Sequence, residues 1–121
     1  MKKPAYFLCA FALANMAFAT SSVAATKAYD GSWSLSIMTE RGDCDPSYSL
    51  NVDIRNGVVS HPNLRKLHGR VTSKGSAWVT VSVTGKSASG SGRLTRTEGR
   101  GRWRGHSGEA RCSGRWTATK L

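Results

Sequence analysis

A chain of 121 residues with 18 Lys and Arg against 7 Asp and Glu carries a formal net charge of +11 and has room for one domain. That length argues against a second domain, and no apolar run is long enough for a membrane-spanning helix. Excess charge of this sign raises the local concentration of anions such as lipid phosphates, acidic polysaccharide or nucleic acid.

The chain opens on Lys2 and Lys3, an apolar run over 6–18, and then small residues. Ala17-Phe18-Ala19 and Val23-Ala24-Ala25 are both acceptable at a cleavage site. Residues 1–25 therefore read as a secretory signal peptide, cut after Ala19 or Ala25, which leaves a domain over 26–121. Cys9 follows Phe7-Leu8 rather than a small residue, which argues against a lipoprotein anchor, and its thiol leaves with the signal. The expected location is the periplasm or the extracellular space.

Beyond residue 30 the pattern is one of alternation. Residues 31–37 place Trp33, Leu35 and Ile37 on one face, and 39–46 reads as a loop carrying Glu40, Asp43, Cys44 and Asp45. Residues 48–55 alternate again, with Tyr48, Leu50, Val52 and Ile54 inward. Asn56-Gly57 then supplies the two positive φ angles of a type I′ hairpin turn. Strands follow at 58–61, ended by Pro62, at 67–73, at 78–84 with Val79, Val81 and Val83 inward, and at 87–95 with Ala88, Gly90, Gly92 and Leu94 inward. In the third of these, Trp78 falls on the outward phase. The small inward residues of 87–92 fit either tight coiling of a barrel or room for a ligand.

The terminal hairpin, 99–105 and 110–119 around a turn at 106–109, gives the chain its main chemical signal. Trp103, Cys112, Trp116 and Ala118 share the buried phase, while Arg100, Arg102, Arg104, Arg111 and Arg115 share the wet one. Pairing 104 with 111 and 100 with 115 would crowd five arginines on one surface with no acid among them. Like charges opposite one another destabilise a sheet, so an external anion is the natural explanation. Thirteen of the Lys and Arg residues lie after Leu64, against only Glu98 and Glu109 among the acids.

About eight short strands, with turn residues between them and no convincing helix, predict an all-β domain. The expectation is a small antiparallel up-and-down barrel, with a β-sandwich as the alternative. After the signal, Cys44 and Cys112 remain, and in an oxidising compartment such a pair is most simply a disulfide.

Catalytic patterning does not emerge. His61, His68 and His106 lie apart, neither H-x-H nor H-E-x-x-H occurs, and Ser107 beside His106 reads as a turn rather than a relay. Glu40, Asp43 and Asp45 could offer oxygens to Ca²⁺ but lack the spacing of a calcium loop. An alternative role for that loop is pairing with arginines of the last strand, since Cys44 would bring it near Arg111.

Tyr29-Asp-Gly-Ser-Trp-Ser-Leu35, Glu40-Arg-Gly-Asp-Cys-Asp45, Gly90-Ser-Gly-Arg-Leu94 and Cys112-Ser-Gly-Arg-Trp-Thr-Ala118 together resemble a group of small exported β-barrel proteins of rhizobia and related alphaproteobacteria. That resemblance implies location and not activity. Gly31-Ser-Trp-Ser-Leu35 followed by Cys44 is also similar to the periplasmic metalloprotease-inhibitor barrels, which are eight-stranded and carry one disulfide. It implies a protease partner plugged by segment 26–30. Gly31-Ser-Trp33 is similar, too, to the first strand of avidin-type barrels.

The expected function is that of an exported, monomeric, non-enzymatic binding protein with neither metal nor cofactor. Its arginine-rich face, Arg100, Arg102, Arg104, Arg111 and Arg115 with help from Arg93 and Arg96, would meet an anionic envelope or extracellular polymer such as a lipid headgroup or acidic polysaccharide. The alternatives are a protease inhibitor and a barrel holding a small apolar ligand or haem.

Overall fold

The computed structural model describes residues 27–121, so the proposed signal peptide and Thr26 lie outside the described residues. Eight strands form a closed antiparallel barrel in which each pairs with its sequence neighbours and the last returns to the first. They are β1 (Gly31–Arg41), β2 (Ser47–Arg55), β3 (Val58–Ser60), β4 (Leu67–Val71), β5 (Ser76–Val83), β6 (Lys86–Leu94), β7 (Glu98–Ser107) and β8 (Ala110–Lys120). Closure leaves no open sheet edge for another chain to extend. The barrel, not the sandwich, is the fold.

Period-two alternation sets which side of the wall each residue faces. Trp33, Val52, Ile54, Val59, Leu67, Val71, Ala77, Leu94 and Ala118 form the buried core. Ser, Thr, Asn, Asp and Arg residues fill most outward positions, the reverse of a barrel whose outer wall meets lipid. No helix among the described residues is long and apolar enough to cross a membrane.

The turns follow local chemistry. Asn56 and Gly57 have φ of 51° and 77°, as the type I′ turn requires. Asp30 fastens that turn from outside, its carboxylate accepting from the backbone N–H of Asn56 at 2.8 Å and of Gly57 at 3.4 Å. The same end is sealed by Trp33, which is 1% exposed and whose Nε1 donates to the carbonyl of Tyr29 at 2.9 Å. Tyr29 packs on the core from outside the strands.

The opposite end is hollow. Leu35, Ile37, Tyr48, Leu50, Val79, Val81, Ala88, Trp103 and Trp116 surround a chamber of about 290 Å³ rather than meeting at its centre. Strand length is the cause. β3 has 3 residues and β4 has 5, while β1 and β8 each have 11. The wall is therefore low at β3 and β4, and the inward side chains of β2 and β5 near the mouth have no strand residues between them. The disulfide Cys44–Cys112 spans this end, with 68 residues of sequence separation and a Cα–Cα distance of 6.1 Å. Cys44 lines the chamber.

Glycines on β6 and β7 have a specific purpose. A Cβ at Gly92 would come within 2.7 Å of the Trp116 ring and one at Gly101 equally close, so these positions make a flat bed for that indole. Its Nε1 donates to the carbonyl of Ser91 at 3.3 Å. The small residues of β6 serve two ends: the Trp116 ring fills the space over Gly92, while Ala88 and Gly90 border the open chamber.

Several boundaries differ from the sequence expectation. β1 continues to Arg41, because a bulge between Thr39 and Arg41 keeps it paired to β8, so Glu40 belongs to a strand and not to a loop. β5 starts at Ser76 and buries Ala77; Trp78 faces out, 46% exposed, directly opposite Arg70 and Ser91.

Candidate anion-binding face

Three neighbouring strands carry the arginines. On β7, Arg100, Arg102 and Arg104 occupy alternate positions on the outer face, which spaces them by roughly 7 Å. The β7–β8 register differs from the expected pairing. Arg104 lies opposite Ser113, Arg102 opposite Arg115, Arg100 opposite Thr117, and Arg111 opposite His106. The reason is a tighter turn: only Gly108 and Glu109 separate the strands, with Gly108 at φ 60°, so His106 and Ser107 remain in β7. Across β6, Arg93 stands opposite Arg100 and also donates through Nη1 to the carbonyl of Lys74 at 3.3 Å. Arg96 is not among them in the sheet; it sits in the β6–β7 connection near the sealed end.

The face is not free of acid, contrary to the sequence reading. Glu40 receives the Nε of Arg115 at 2.6 Å and has Arg102 Nη1 at 3.9 Å. The β1 bulge delivers it between two guanidiniums that stand directly opposite each other, where like charge would otherwise be unfavourable. An exposed pair of this kind contributes about 0–1 kcal/mol. The acid pairs with an arginine of the last strand, as the alternative role for this segment expected, although the partner is Arg115, together with Arg102 of β7, and not Arg111. No group of three or more His, Cys, Asp or Glu side chains that could hold a metal occurs among the described residues.

Arg100, Arg104 and Arg111 make no ion pair among the described residues. Neither does Arg41, which the sequence reading left out. Its place at the end of β1 puts it opposite Ser113, in the row that runs Ser89, Arg104, Ser113, Arg41 across four strands. Arg41, Arg104, Arg111 and His106 line a shallow outer depression of about 650 Å³ together with Ser82, Ser87, Ser89 and Ser113, and no carboxylate lines it. Arg41 could have been found only by knowing that β1 outlasts Thr39.

Ser87 Oγ and His106 Nε2 lie 2.9 Å apart on the rim of this depression. Both are exposed to some degree, and no carboxylate is bonded to the other ring nitrogen among the described residues. The pair lacks the orienting group that a serine nucleophile requires. It instead presents polar atoms beside three guanidiniums.

The segment that an inhibitor would insert is partly tied down. Tyr29 and Asp30 are held to the sealed end by the hydrogen bonds described above, leaving Lys27 and Ala28 exposed ahead of them. For haem, the one imidazole among the described residues that reaches the chamber is that of His106, which stands on the outward phase of β7 at the rim and is bonded to Ser87.

Comparison with family models, curated proteins and solved structures gives no match.

Proposed function

We propose that this protein is an exported binding protein whose β6–β8 outer wall holds an anionic polymer of the cell envelope or its surroundings, such as acidic polysaccharide. The observation that carries the reading is the depression lined by Arg41, Arg104 and Arg111 with four serine hydroxyls and no acid. A guanidinium meets a carboxylate, phosphate or sulfate through two parallel N–H donors, and hydroxyls add further donors between such contacts. Beyond the depression the row of guanidiniums continues along β7 from Arg104 through Arg102 to Arg100, with Arg93 opposite it, over roughly 13 Å of extended strand. An extended chain with repeated negative groups suits such a surface better than one enclosed small anion. Arg102 and Arg115 of that row are held by Glu40.

The test is retention on immobilised polygalacturonate and on dextran sulfate, with anionic vesicles as a separate arm. Binding should fall steeply with salt, because each neutralised charge releases a counterion. The triple variant R41Q/R104Q/R111Q should elute at distinctly lower salt on the polysaccharides, with its thermal melt unchanged. Elution of this variant at the wild-type position would overturn the assignment. Retention on vesicles alone would assign the face to lipid headgroups instead.

A further inference from the structure

The hollow end adjoins the arginine depression, with which it shares Val81, Ser87, Ala88, Ser89 and His106, but its chemistry differs because no arginine lines it. Its chamber of about 290 Å³ is walled by Leu, Ile, Val, Ala, Tyr and Trp side chains, near the lower limit of about 300 Å³ for small-molecule sites. A pocket of this kind, with few polar groups, is a poor host for water, which needs several polar partners. The two indoles that face it are committed elsewhere at their polar ends. Trp103 Nε1 donates to the carbonyl of Met38 at 2.9 Å and Trp116 Nε1 to that of Ser91. Both therefore present carbon to the space.

One charged side chain lines the chamber, that of Lys86, and no carboxylate does. Lys86 begins β6, two positions before Ala88 and four before Gly90, so it stands on the inward phase at the mouth. His106, bonded to Ser87, and Ser89 and Ser107 add uncharged polar groups to the lining. The low wall at β3 and β4 leaves access from the mouth.

We infer that the lumen binds one medium-chain alkyl carboxylate, its chain in the apolar chamber and its head at Lys86. The volume sets the length: at about 30 Å³ for each water-sized group, the chamber takes a chain of roughly ten carbons. The sign of the head follows from Lys86 being the sole charge in the lining. A cationic amphiphile would place its ammonium beside that lysine, and a neutral alcohol would forgo the ion pair.

Titration of the protein with decanoate, decanol and decyltrimethylammonium, each below its micelle concentration, tests this by calorimetry and by the fluorescence of Trp103 and Trp116. Decanoate is expected to bind with one-to-one stoichiometry and at least fivefold more tightly than decanol, with the ammonium weakest. K86Q should bring decanoate down to the affinity of decanol and leave decanol unchanged. Filling the chamber with A88F should remove binding of both; V81F serves the same purpose if A88F does not fold. Absence of saturable decanoate binding, equal affinity for decanoate and decanol, or unchanged binding in a folded chamber-filling variant would each overturn the inference. R41Q/R104Q/R111Q should bind decanoate as the wild type does, so loss of polymer binding and loss of chain binding are separately detectable.

Discussion

The two ends of this barrel are built from the same strands and the same alternation, yet one is solid and the other hollow. At the sealed end Trp33, Val52, Ile54, Val59, Val71, Leu94 and Ala118 converge, and Tyr29 packs against them from outside the strands. At the other end the inward residues are equally apolar, but the wall drops at β3 and β4 and the chamber stays open. The lesson is that inward hydrophobicity does not make a core. Facing partners at the same height do, and strand length decides where they exist. The sealed end carries the packing stability, and the open end relies on a covalent tie.

The largest effect should come from that tie. Replacing Cys44 and Cys112 by serine releases a loop with 68 residues of separation, and chain entropy puts the loss at about 4 kcal/mol. Denaturant unfolding of the double variant against the wild type measures it. A loss below about 1 kcal/mol would show that the open end holds its shape without the crosslink.

Truncation comes next and addresses the comparison itself. Ile54→Ala at the sealed end should cost about 2–5 kcal/mol, the price of a cavity in packed surroundings. Leu50→Ala, four residues away on the same strand but beside an existing chamber, should cost only about 1 kcal/mol because less surface returns to water. Equal losses at the two positions would mean that the chamber is closed in solution.

Glu40→Gln should produce the smallest change in stability, under about 1 kcal/mol, since its pairs with Arg115 and Arg102 are exposed. Its effect on binding has the opposite sign. Freed of their carboxylate, Arg102 and Arg115 join the arginine wall, so the variant should elute from polygalacturonate at higher salt than the wild type. Earlier elution would mean that Glu40 holds those guanidiniums in a geometry that the polymer requires.

Much of this was legible in the chain. Phase is a local property of an extended strand, so Trp33, Leu35, Tyr48, Val81, Trp103 and Trp116 could be assigned to the interior, and the arginines of β7 and β8 to the exterior, from alternation alone. The turn at Asn56-Gly57 and the pairing of Cys44 with Cys112 were equally accessible. Register was not. Whether Arg104 meets Arg111 or Ser113 depends on how many residues the turn consumes, and polar residues such as His106 and Ser107 serve as readily in a strand as in a turn. The same limit put Glu40 in a loop and left Arg41 out, because a bulge lets β1 continue through residues whose composition resembles a loop. The hollow end was legible only as an alternative, room for a ligand beside the small residues of 87–92; its place follows from the unequal lengths of β3 and β4 against β1 and β8, a relation between distant elements rather than a property of any one of them.

The account's central claim is that the arginine wall is a binding surface. Its most direct test is an NMR titration with a galacturonate oligomer, observing backbone amides and arginine Nε–Hε signals together. The prediction is that perturbations gather on Arg41, Arg100, Arg104 and Arg111 and on the outward residues of β6–β8, and that they fade as salt is raised. Perturbations centred on the outer wall of β2–β4, or none at oligomer concentrations that saturate a basic control protein, would contradict it.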